Sequence, residues 1–184
     1  MFDRFNQFCE AVQSAMTVTL ATVSGNRITM RVVSPVCYRE IPSPHEMSAT
    51  TDCQIDRCPT DASEVERKMI WKGYKILIFT ARDSKKYQQL LANPTCCLAT
   101  GFFFAEATAE FCGATMLPKN QKLRDAYTAK YPGAFDENVE FGGRDAEFLL
   151  LTPVRLTGWA FENDRPTETG IPTIPFEISL NDGT

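Results

Sequence analysis

Histidine is nearly absent from this chain, with one residue, His45, among 184. None of the seven cysteines belongs to a Cys-x-x-Cys pair. His45, Cys53 and Cys58, with Cys37 nearby, are soft enough to ligate zinc. Their H-x7-C-x4-C spacing is not a recognised zinc pattern, and no metal is expected. Positive charge is also short: 19 Lys and Arg against 23 Asp and Glu give a formal charge of -4. That balance argues against nucleic-acid binding but leaves room for a local basic pocket. No apolar run reaches the roughly 18 residues that span a membrane, so no membrane association is expected. The stretch MFDRFNQFCEAVQSAM carries acids and lacks a basic region followed by an apolar one, so no secretory signal is expected. Cys9, Cys37, Cys96, Cys97 and Cys112 lie in or beside periodic segments where a small hydrophobe fits. Reduced thiols in the cytoplasm are the expectation.

What is present is a globular composition. Hydrophobic residues make up 43% of the chain and include 13 phenylalanines, enough for a real core in a single domain. Phe2, Phe5, Phe8, Cys9 and Val12 recur at helical spacing. Met16, Val18 and Leu20 alternate with threonines, and after Ser24-Gly25-Asn26 the alternation resumes at Ile28, Met30 and Val32. That pattern predicts a β-hairpin with Arg31 on the opposite face. From Glu40 to about Cys58 periodicity is lost, and Ser63 with Glu66 suits a capping box for a short helix reaching Trp71.

The run YKILIFT, Tyr74 to Thr80, is apolar almost throughout and reads as a strand covered on both faces. A helix follows, capped by Asp83 or Ser84, with Tyr87, Leu90 and Leu91 as its buried stripe and Asn93-Pro94 as its stop. Two strands broken near Gly101 occupy Cys96 to Met116. The second alternates Phe104, Glu106, Thr108 and Glu110 with alanines. Leu117-Pro118 opens a helix that turns Leu123, Ala126 and Tyr127 inward and ends at Tyr131-Pro132-Gly133. Gly142-Gly143 is a turn, Phe148 to Phe161 a last strand, and the tail after Glu162 shows no period. About six strands and three or four short helices predict a small antiparallel barrel or strongly coiled sheet.

The segment FTARDSKKYQQLLANP carries the chemistry. A helix N-terminus offers free backbone N–H groups and the positive end of the dipole. Here it also gathers the hydroxyls of Thr80 and Ser84 and the cations Arg82, Lys85 and Lys86. Lysines in a first turn oppose the dipole, which suggests a compensating anion. Local chemistry leaves open an ordinary capped helix with solvated lysines.

The order of these elements, with TMRVVSP closing the hairpin and then ILIFTARDSKKYQQLLANP, CLATG, FAEATAEFCG and a YPG-terminated helix, resembles the pyridoxamine 5′-phosphate oxidase-like family. The likeness runs from about Phe5 to Phe161. It is most specific at Thr80-x-x-x-Ser84-Lys85-Lys86 and at Arg31. The resemblance implies a six-stranded antiparallel split β-barrel that binds FMN. Arg31, Thr80, Ser84, Lys85 and Lys86 would hold the phosphate, and Val32, Val33 and Phe79 would lie along the ribityl chain and ring. It also implies a homodimer with a flavin at each subunit interface.

On this reading residues 1–184 form one domain, with an insertion at about 40–71 and an irregular tail from about 162. The expected function is an FMN-dependent oxidoreductase working with a small-molecule substrate or a nicotinamide nucleotide. The alternative is a non-enzymatic split-barrel protein that binds or senses flavin or haem. The tail holds one cation, Arg165, and no Arg-x-His pattern, so oxidation of pyridoxamine phosphate itself is not expected. Trp71 and Trp159 are candidate stacking residues, though an aromatic in a strand pattern is more often core, and Glu106 and Glu110 are assigned no catalytic role.

Overall fold

Helix α1 (Phe2–Ser14) forms because its apolar residues share one stripe, and Phe5, Phe8, Cys9 and Val12 are all buried. The computed structural model describes residues 2–39, 73–135, 145–161 and 170–180. His45, Cys53, Cys58, the cap at Ser63 and Glu66, Trp71, the Gly142-Gly143 turn and Arg165 lie outside the described residues. After α1 the chain enters the hairpin of β1 (Val18–Ser24) and β2 (Arg27–Val33). The two-residue link Gly25-Asn26 works because Gly25 sits at φ 57°, which a side chain would resist.

Strand β3 (Val36–Arg39) and strand β4 (Tyr74–Ala81) pair next, followed by α2 (Lys85–Ala92), β5 (Thr95–Thr100) and β6 (Phe103–Ala114). A 3₁₀ turn at Pro118–Asn120 leads into α3 (Gln121–Lys130), then the 15-residue β7 (Ala146–Ala160) and β8 (Ile174–Ser179). Among the described residues the strands form one antiparallel sheet in the order β2-β1-β5-β6-β7-β4-β3, with β8 added on β7. Strand β7 spans the split: its first half pairs β4 and its second half pairs β8, while β6 runs along both. The register along β6 shifts between Glu106 and Ala107, opposite Pro153, which has no N–H to donate to a regular ladder.

Two apolar clusters occupy the faces of this curled sheet. The larger unites α1 with Leu20, Ile76, Ile78, Leu98, Leu149, Leu151 and Leu156. The smaller joins Leu77, Phe148 and Leu150 to Leu123 and Tyr127 of α3. Strand β4 is therefore covered on both faces, as its unbroken apolar run predicts. Among the described residues no helix is long and apolar enough to cross a membrane.

Two expectations change. The sheet has eight strands, not six. Strand β3 is too short for a visible alternation, and β8 contains Pro175, which an outer strand with one neighbour tolerates. Leu91 is exposed and not part of a buried stripe, because α2 packs on the sheet chiefly through Leu90. On β2 the row Ile28, Met30 and Val32 points outward, while Thr29 and Arg31 face α2.

Candidate functional site

The site begins at the end of β4. Thr80 is 2% exposed, and its hydroxyl lies 2.8 Å from that of Ser84. Ser84 is the N-cap of α2, with extended backbone, and its Oγ accepts the Tyr87 N–H at 3.3 Å. The first turn of α2 holds no acidic residue, so the dipole there meets no carboxylate from the helix itself.

Arg82 turns away from this cap. Its Nη2 donates to Glu147 Oε1 on β7 at 2.6 Å, and the Tyr87 hydroxyl donates to Glu147 Oε2 at 2.5 Å. One buried carboxylate thus fixes the turn and the first turn of the helix together. The bond to Glu147 also raises the Tyr87 phenol above its ordinary range. Lys85 is exposed on the outer side of α2.

Lys86 is half-buried and faces the sheet. Desolvation lowers its ammonium below the usual 10.5, and the nearby Arg31 guanidinium lowers it further. Among the described residues it has no hydrogen-bond or ion-pair partner. Arg31 reaches α2 from β2: its Nη2 donates to Gln89 Oε1 at 2.5 Å and to Thr22 Oγ1 at 3.3 Å. Among the described residues its buried Nε has no hydrogen-bond partner. Burial also lowers its pKa. Two cations therefore lie near each other against α2, and among the described residues one buried N–H is left unsatisfied. That arrangement is costly unless an anion completes it.

The remaining expected residues fall elsewhere. Val33 is buried in the larger core cluster, and Val32 is on the outward face. The Phe79 ring packs edge-on against Tyr127 and Phe148 in the smaller cluster. Trp159 is exposed. Glu106 is ion-paired with Arg155, and Glu110 with Lys75 at 3.2 Å. The structure thus brings Arg31, Lys86, Ser84 and Thr80 to α2. Gln89 and Thr22 escape the sequence reading because a glutamine in a helix and a threonine in a strand carry no local signal.

The curled sheet, divided along β7, is a split β-barrel. No family profile matches the sequence, and no curated protein matches it. Solved structures do match by shape. The haem storage protein HutZ from Vibrio cholerae is 13% identical, with 86% of this chain and 96% of that chain aligned at a TM-score of 0.54. A NimC/NimA family protein from Clostridium acetobutylicum is 11% identical over 96% and 94%, at 0.51. A FAD-binding protein from Mesorhizobium loti aligns over 82% and 90% at 11% identity and 0.48. At these identities the likeness is one of fold.

Proposed function

We propose that this chain is an FMN-binding flavoprotein that acts as an oxidoreductase. The observation that carries the reading is the buried Nε of Arg31 beside Lys86, both without a partner among the described residues. A phosphate fits such a donor set, since arginine's planar fork gives it parallel hydrogen bonds and lysine adds a point charge. Arg31, Lys86 and the Thr80–Ser84 hydroxyl pair would hold it, with Lys85 closing the solvent side. Val32, Val33 and Phe79 would line the path toward the ribityl chain and ring, Val33 and Phe79 chiefly by backbone because their side chains are packed in core clusters. Bound FMN would supply two-electron chemistry with a small organic substrate or a nicotinamide nucleotide.

The outward row Ile28, Met30 and Val32 supports a homodimer. Across β1 and β5 the same face carries Thr19, Ala21, Val23, Cys97 and Ala99, leaving an apolar surface a second copy could cover. In the dimer the flavin would sit at the subunit interface.

The second reading is haem binding, favoured by the likeness to a haem storage protein. A haem propionate would also satisfy Arg31 and Lys86. The absorption spectrum of the purified protein separates the two. Flavin bands and FMN released on denaturation are expected; a haem spectrum supports the second reading. A colourless protein that takes up neither overturns both.

A further inference from the structure

Gln89 lies over a cross-strand threonine pair. Thr22 on β1 and Thr29 on β2 are register partners, and the amide of Gln89 bridges them. Its Oε1 accepts from Thr22 Oγ1 at 2.8 Å, and its Nε2 donates to Thr29 Oγ1 at 3.2 Å. The same Oε1 accepts from Arg31 Nη2. This orientation is forced, because a guanidinium has only donors and a flipped amide would set N–H against N–H. Thr22 is fully buried, so the anchor beneath the amide is fixed by the core.

The acceptor that holds Arg31 is neutral. A carboxylate is the usual partner for a half-buried arginine, and it would cancel the charge where an anion is to bind. The amide fixes the guanidinium and leaves its full charge and its Nε available. We propose that Gln89 is the positioning residue of the phosphate site, orienting Arg31 without neutralising it, so that the site selects a phosphorylated ligand. This rests on the anion-site reading above.

The test compares Gln89→Glu, Gln89→Met and Thr29→Val with the wild-type chain. FMN and riboflavin affinities are read by flavin fluorescence, and inorganic phosphate binding by thermal shift. Gln89→Glu should lower FMN affinity by roughly tenfold or more, because its carboxylate competes for Arg31. Riboflavin affinity should stay unchanged, and the unliganded protein should melt no lower than wild type. Gln89→Met, which leaves Arg31 charged but loose, and Thr29→Val, which removes the acceptor of the amide Nε2, should each give a smaller loss confined to FMN. Phosphate should stabilise the wild type and fail to stabilise Gln89→Glu.

Equal losses of FMN and riboflavin would mean a merely structural role and overturn the proposal. So would undiminished FMN binding by Gln89→Glu. Should Gln89→Glu not fold, Gln89→Met and Thr29→Val carry the same comparison. If the wild type binds phosphate but no flavin, the FMN reading fails, and the phosphate response of the variants decides the role of Gln89. If the wild type binds none of the three ligands, both fall.

Discussion

Arg82 and Glu147 form an ion pair of 2.6 Å between the turn after β4 and the start of β7. Glu147 is nearly buried, and Arg82 is about half exposed. The pair therefore fixes the turn and engages Arg82 away from the proposed anion site. Arg82→Ala leaves the carboxylate with Tyr87 as its remaining side-chain donor among the described residues. That substitution should cost about 1–3 kcal/mol in urea unfolding. The preference for FMN over riboflavin should be preserved, in contrast to Arg31→Ala. A variant of normal stability that loses this preference would place Arg82 at the ligand.

The depressed Lys86 ammonium sets a pH dependence. In the free protein its pKa lies below 10.5, and a bound phosphate would raise it. Below the free-state pKa the lysine is charged in both states, and affinity is constant. As pH rises through that value toward the bound-state pKa, binding requires proton uptake, and FMN affinity falls. Riboflavin, with the same ring and no phosphate, is the control. The ratio of the two affinities should decline at alkaline pH in the wild type and stay flat in Lys86→Met. A flat wild-type ratio would remove Lys86 from the site.

The outward row of β2 makes a separate prediction. Ile28, Met30 and Val32 are each about two-thirds exposed, at 70%, 66% and 66%. Sedimentation should give the wild type twice the chain mass, and Met30→Glu should give a single chain of unchanged secondary structure. Flavin retention should weaken with dissociation if the second subunit completes the site. A wild-type monomer would contradict the dimer.

Gly158 tests the sheet itself. A Cβ there would lie 2.4 Å from the Phe102 carbonyl oxygen and 3.0 Å from the Phe176 ring. The Trp159 N–H bonds that same carbonyl at 3.1 Å, so the backbone has little room to shift. Gly158→Ala should cost about 1–3 kcal/mol through overpacking. Unchanged stability would mean that β6 and β7 meet in another register.

The parts of the fold legible in the sequence were those set by local period. Helix α1, the hairpin and the doubly covered β4 follow from spacings of three to four, of two, and from an unbroken apolar run. Strand β8 escaped because Pro175 interrupts its alternation of Ile174, Phe176 and Ile178 and reads as a breaker. The alternation of β2 shows two faces but cannot say which is inward; the apolar one is outward. The cap at Ser84 was legible for the same local reason. The engagement of Arg82 was not, since its partner stands 65 residues away. Gln89 was missed for the same cause, being 58 residues from Arg31.

The most direct measurement is a titration of the unliganded protein with FMN and with riboflavin, repeated on the double variant Arg31→Ala, Lys86→Ala. The account predicts that the wild type prefers FMN by roughly a hundredfold and that the double variant loses this preference while remaining folded. Equal affinity of the wild type for the two flavins, or a double variant that still prefers FMN, would contradict it.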